Sequence, residues 1–269
     1  MIKNVKNLHY HIEIYGEGEP LVFLHGFTGS SQNWIPFVDS FPGFRLILID
    51  IIGHGKSASP KETEHYSMMN AVEDLKIIVE ELAGEPVSLL GYSMGGRLAL
   101  SFAMTYPEWV EKVILESSSP GLKAPAERKK RMQQDQSLAD EIQVKGISAF
   151  VDKWENISLF ETQKRLPEKL RKCIREQRLQ NVPEGLAGSL IGMGTGAQPS
   201  WWDRLNRFNK KVLLISGQWD TKFCMINEEM QSLLPEASLQ IIKDSGHAVH
   251  VEQPQIFGKI VNEFLTQTN

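Results

Sequence analysis

Cysteine is scarce. Only Cys173 and Cys224 occur in 269 residues, at no spacing that suits a metal centre or a CxxC redox pair. A disulfide framework is therefore excluded, and both are expected to be reduced thiols in a cytoplasmic protein. No apolar stretch reaches the roughly 20 residues that a membrane-spanning helix needs. The opening segment, MIKNVKNLHYHIEIYGEGEP, has no apolar core of the kind a secretory signal carries. An excess of one charge sign is missing as well. The formal net charge is -4 and the isoelectric point about 6.0, so no basic field points to nucleic acid or an anionic membrane surface. Internal repeats and low-complexity tracts are absent. Three glycines in GMGTGA (Gly192, Gly194, Gly196) are wrongly spaced for a dinucleotide fingerprint, with no acidic ribose partner after them. They suit a flexible return loop.

Short apolar runs are plentiful. Residues 21–24, 45–50, 87–90, 110–115 and 212–216 read as strands buried on both faces, residues 10–15 as an alternating outer strand, and residues 239–242 as a further short one. Helix-period segments at 69–82, 95–105 and 255–265 lie between them. Buried strands alternating with helices predict an α/β fold, a mostly parallel sheet with helices on both faces. The alternation breaks over residues 120–209, where charged, helix-favouring sequence takes over. This predicts an inserted helical cap (120–209) on a core made of residues 1–119 and 210–269. Most charges of the ERKKR run at 127–131 are expected on a solvated helix face.

The run VSLLGYSMGG at 87–96 carries the chemistry. A strand ends in Gly-Tyr-Ser-Met-Gly and a helix follows, so Ser93 sits at the apex of a turn too tight for side chains two residues to either side. Its hydroxyl is lifted over a helix N-terminus, where N–H groups face developing negative charge. Serine is a weak nucleophile or base alone; it needs a neighbouring base, and that base needs an orienting acid. Asp220, in SGQWDTKF after the 212–216 strand, and His247, in DSGHAVHVEQP before the last helix, supply both at the carboxyl ends of strands, where open α/β sheets place their sites. Glu116 competes with Asp220 for the acid role and His250 with His247 for the base. Asp220 is preferred by its place in the chain order. His247 is preferred because Gly246-His247 suits a tight turn, whereas His250 falls where the helix begins. His247 and His250 lack a third ligand nearby, so no metal site is expected. His9, His11 and His65 read as surface or packing residues. Glycine in His25-Gly26-Phe27 lets the backbone approach a substrate oxygen, which makes the N–H groups of Phe27 and Met94 candidates for an oxyanion hole. DIIGHGKS at 50–57 reads as architecture.

LHGF, DIIGHGKS, GYSMGGR, GQWDTKF and SGHAVH together resemble the α/β-hydrolase superfamily along the whole chain. Arg97, ESSSPGL at 116–122, the basic helix ending near Arg131, Trp154, Arg178 and the Asp220-Thr-Lys-Phe run resemble, within it, the MenH family of menaquinone-pathway lyases. That resemblance implies elimination of pyruvate from a cyclohexene carboxylate, with no cofactor. It also implies substrate binding by Tyr92, Arg97, Arg131, Trp154 and Arg178. A small polycarboxylate substrate suits several arginines, whose planar forks bind carboxylates bidentately. Competing readings pair Arg97 with a core carboxylate, leave the cap arginines solvated, or substitute Arg128 and Arg175 for them. Lys222 has no resolved role. The alternative activity is a serine hydrolase, either a carboxylesterase or a carbon–carbon bond hydrolase, using the same three residues.

Overall fold

The computed structural model describes residues 1–267. Eight strands form one sheet in the spatial order β1 (Ile2–Val5), β2 (Leu8–Tyr15), β4 (Phe44–Ile49), β3 (Glu19–Leu24), β5 (Val87–Tyr92), β6 (Val110–Glu116), β7 (Lys211–Gly217) and β8 (Ala237–Ile242). The pairs β1–β2 and β2–β4 are antiparallel, and every later pair is parallel. The central strands are continuously apolar because both faces are covered. In β3, Val22 and Leu24 face one core together with α1 (Met68–Leu82) and α2 (Met94–Thr105). Leu21 and Phe23 face the other, with Trp34, Phe37, Phe41 and α8 (Pro254–Thr266). Phe23 is fully buried, its ring 5.4 Å from Trp34 and 5.7 Å from Phe41.

Two elements go beyond the sequence-based expectation. β1 reaches β2 through a hairpin whose two central residues, Lys6 and Asn7, both have positive φ (49° and 67°). Lys-Asn is a weaker turn signal than Asn-Gly, so the hairpin hides in the sequence. Helix α6 (Thr221–Leu233) buries only Asn227 and Met230 completely, too little to leave a clear apolar stripe.

Between β6 and β7 there are no strands. This segment carries α3 (Pro125–Trp154), interrupted at Gly146 (φ 78°, ψ 174°), then α4 (Glu168–Leu179) and α5 (Pro183–Met193). Ala139, Ile142, Phe150, Leu186 and Leu190 give it a small apolar centre of its own. Its glycines serve close packing more than flexibility. A β-carbon on Gly192 would lie 2.4 Å from the Tyr66 carbonyl oxygen, and one on Gly194 2.3 Å from that of Leu190.

A buried imidazole ties the ends of β3 and β4 together. His25 donates from Nδ1 to the Gly26 carbonyl at 2.8 Å and accepts the Ile51 N–H at Nε2 at 2.9 Å. Both ring nitrogens are committed to the neutral tautomer, and burial lowers the pKa to about 4. His54 lies 5.2 Å away, ring to ring; burial, then the neighbouring His25, lower it to about 3. Asp50 secures the same loop, accepting from the backbone N–H of Ser31 (2.6 Å) and of Lys56 (2.8 Å), as an architectural role for residues 50–57 requires.

Phe23→Ala is expected to lower unfolding free energy by about 3–5 kcal/mol in urea titrations, because two aromatic neighbours cannot close the hole; a loss under about 1 kcal/mol would show that the site collapses. Acid should weaken the fold through His25 and His54. Both take up protons in the unfolded chain near pH 6.5 and stay neutral in the folded one, so stability falls as pH drops below that value. The slope is about 1.4 kcal/mol per pH unit for each ring. Urea titrations at about pH 6.5 and about pH 5 read it, before most carboxylates titrate; a flat or rising stability would contradict the neutral assignment.

Candidate active site

Ser93 joins β5 to α2 at φ 50°, ψ −105°, a conformation that residues other than glycine seldom adopt. The glycines around it permit the close approach. A β-carbon on Gly91 would stand 2.4 Å from the Gly95 carbonyl oxygen, and one on Gly95 2.2 Å from that of Leu24. The Ser93 N–H donates to the Glu116 carbonyl at 2.8 Å, which anchors the turn to β6.

Three residues distant in sequence meet here. Asp220 follows β7 and His247 follows β8. Nδ1 of His247 lies 2.6 Å from Asp220 Oδ2, and Nε2 lies 3.0 Å from Ser93 Oγ. With the carboxylate accepting from Nδ1–H, Nε2 is left to accept the serine proton. His247 and Asp220 are both buried. Phe223 packs its ring 4.8 Å from the imidazole, and Glu252 accepts the Gly246 N–H at 2.9 Å, fixing the loop. Glu116 and His250, the competing acid and base, instead pair with each other: the backbone N–H and Nδ1 of His250 reach Glu116 at 2.9–3.0 Å. Among the described residues no group of three or more His, Cys, Asp or Glu could hold a metal ion.

Ser93 and His247 open onto a cavity of about 200 Å³ whose walls include Phe27, Met94, Tyr92, Arg97, Arg131 and Trp154. The Phe27 N–H has no acceptor among the described residues. Met94 begins α2, so its N–H has no partner within the helix. Tyr92 is partly buried, and desolvation of its phenol raises the pKa well above the usual value; its ring lies 5.4 Å from that of His247. Trp154 meets Phe27 edge-on at 5.4 Å, and its indole N–H has no partner among the described residues.

The three arginines differ. Arg97 is half-buried and donates from Nη1 to the Met193 carbonyl and, at 2.7 Å, to Gln198 Oε1. Burial, and then the nearby Arg131, lower its pKa to about 10, which leaves it a cation at neutral pH. Arg131 pairs through Nε with Asp135 at 2.8 Å and keeps part of its side chain exposed. Arg178 is not in this cavity. It lines a neighbouring one, its guanidinium 4.8 Å over the Phe160 ring and 3.3 Å from Gln163 Oε1. Phe160 borders both cavities and so separates Arg178 from Ser93. The alternative cap arginines are occupied: Arg175 holds Asp152 and Glu155, and Arg128 donates to the Gly196 carbonyl.

Sequence reasoning left Lys222 without a role, took Ser117 and Ser118 only as part of the ESSSPGL run that carries the resemblance, and passed over Phe160; all four line the cavity. Lys222 had a signal in its position two residues past Asp220. The serines had one in their place at the end of a buried strand. Phe160 had none, because its place depends on how the cap folds back.

The sequence profile of the alpha/beta hydrolase fold family matches residues 19–254. A Bacillus subtilis protein provisionally named 2-succinyl-6-hydroxy-2,4-cyclohexadiene-1-carboxylate synthase is 53% identical over 92% of this chain and 90% of its own length. A Salmonella arizonae protein with that name is 29% identical over 87% of this chain and 88% of its own. Among solved structures, MenH from S. aureus superposes with a TM-score of 0.91 at 34% identity, covering 95% of this chain and 97% of that one. The chain belongs to the alpha/beta hydrolase fold family and, within it, to the family of the 2-succinyl-6-hydroxy-2,4-cyclohexadiene-1-carboxylate synthases.

Proposed function

We propose that the chain is a cytoplasmic lyase of menaquinone biosynthesis. It eliminates pyruvate from 2-succinyl-5-enolpyruvyl-6-hydroxy-3-cyclohexene-1-carboxylate to leave 2-succinyl-6-hydroxy-2,4-cyclohexadiene-1-carboxylate. The observation that carries this reading is the meeting, in one cavity, of a Ser93–His247–Asp220 relay with the cations of Arg97 and Arg131. The relay alone suits any acyl transfer. Two guanidinium groups at its edge suit a small, multiply charged anion.

In this reading His247, oriented by Asp220, receives the Ser93 proton while the Ser93 oxygen removes the proton from the ring carbon that bears the succinyl group, made acidic by the adjacent ketone and the neighbouring ring double bond. Electron density moves to the carbonyl oxygen, which the N–H groups of Phe27 and Met94 stabilise. Its return forms a new ring double bond beside that carbon, moves the existing ring double bond one position along, and breaks the C–O bond to the enolpyruvyl group. The leaving enol takes up a proton and becomes pyruvate. Nothing is oxidised or reduced overall, so side chains suffice. Arg97 and Arg131 hold substrate carboxylates directly, Tyr92 and Trp154 shape the walls, and Arg178 adds positive potential from behind Phe160.

Ser93→Ala should reduce turnover about 10²–10⁴-fold, the range of a lost general base, with substrate binding largely kept. Pyruvate release and the new conjugated-diene absorbance both report it; near-normal turnover would remove Ser93 from the chemistry. Arg97→Lys keeps the charge but loses the fork, and should raise KM about tenfold while leaving the melting temperature close to that of the parent. An unchanged KM would end the carboxylate-clamp assignment. An acyl-enzyme burst with p-nitrophenyl acetate, together with no pyruvate release, would favour the hydrolase reading instead.

A further inference from the structure

The end of β6 brings three consecutive serines, Ser117, Ser118 and Ser119, to the cavity wall beside Ser93, and the relay uses none of them. Their backbone is held on several sides. Glu116, just before them, accepts the Ser93 N–H, and the Ser117 N–H donates to the Ile215 carbonyl at 2.9 Å. Gln198 donates to the Ser119 carbonyl at 3.4 Å while its own oxygen accepts from Arg97. The Pro120 carbonyl accepts the Trp201 N–H at 2.8 Å. Ser117 holds φ 47°, in the left-handed region. Ser118 sits against α2: a β-carbon on Gly96, the residue before Arg97, would lie 2.8 Å from its hydroxyl oxygen. The serine turn and Arg97 thus form one connected piece.

Within this fixed frame, the hydroxyls of Ser117 and Ser118 are fully buried and make no hydrogen bond among the described residues. A buried hydroxyl without a partner has given up hydration for nothing in return. Two of them side by side, on residues lining a ligand cavity, mark where a ligand supplies the acceptor. Arg97 points to the kind of acceptor. Its Nη1 is bonded to Met193 and Gln198, whereas Nε and Nη2 bond no acceptor among the described residues. Hydroxyl rotors and a guanidinium edge all donate, and together they match an oxygen-rich anion.

We infer that Ser117 and Ser118 form, with Arg97, a cradle for one carboxylate of the substrate, and that the two serines set specificity for an anionic group beside Ser93. This rests on the polycarboxylate reading above. The serine hydroxyls act as donors to the carboxylate oxygens, each by a turn of its side chain to another staggered χ1 rotamer. They take no part in the proton relay.

Ser117→Gly, which suits the positive φ, and Ser118→Ala remove the donors with little disturbance to the backbone. Each should raise KM for pyruvate release about tenfold with kcat within about twofold, and the pair should raise it further. Melting temperatures should hold or rise, because each substitution deletes an unsatisfied buried group. Titration calorimetry with succinate as the carboxylate probe should show the same weakening relative to the parent. Unchanged KM and unchanged succinate affinity in both variants would overturn the cradle. If the parent protein releases no pyruvate, the lyase reading fails, and the succinate titration still decides whether the serines hold a carboxylate.

Discussion

The backbone of α2 lies directly against the end of β3, and the rest of the site depends on that approach. Any side chain at Gly95 would meet the Leu24 carbonyl oxygen. Because nothing intervenes, β5 can turn into a helix within one residue. Ser93 then stands at the crest of the sheet in a conformation that packing has to enforce. Phe27 and Met94, whose N–H groups are the candidate oxyanion donors, line one cavity. Ser93 and the candidate oxyanion donors are therefore positioned by main chain rather than by flexible side chains. Sites built this way lose little on reorganisation during reaction.

Parallel strands direct their carboxyl ends to one edge of the sheet, so residues after β3, β5, β6, β7 and β8 converge without long loops. His25 stiffens this edge as a neutral hydrogen-bonding link between β3 and β4. Around the candidate catalytic groups each buried carboxylate has a hydrogen-bonding partner. Glu116 meets His250 and Asp220 meets His247, while Asp135 pairs with Arg131, with Arg97 nearby. Burial raises the pKa of Asp135 and lowers that of Arg97, as expected when few waters share the space. The cavity retains positive charge because Arg131 keeps one side toward solvent and Arg97 has donors left over.

Much of this was legible in the chain. All seven expected strands are present; in the five central ones two-sided burial leaves a continuous apolar signature. The turn at Ser93 was visible because its glycines answer a local steric demand. The hairpin at Lys6-Asn7 and helix α6 were not, since one lacks the usual turn residues and the other lacks a strong apolar stripe. GMGTGA suggested slack, whereas Gly192 and Gly194 are packed against backbone. A glycine reads the same in sequence whether it supplies freedom or closeness.

The sequence by itself determined the layered α/β architecture, the serine turn, and the order in which acid and imidazole follow it. Each of these comes from periodicity or from steric needs confined to a few neighbouring residues. Only the tertiary structure decided which acid meets which imidazole. Glu116 and Asp220 both end strands, and the separation lies in how the loops after β7 and β8 pack, where Gly217 comes against Gly246. It also decided which arginines face the serine. Arg131 and Arg178 lie on separate helices of a segment broken at Gly146, and Phe160 stands between the second and the cavity. Side-chain direction on a folded-back segment depends on contacts between residues distant in the chain, and no local pattern encodes those.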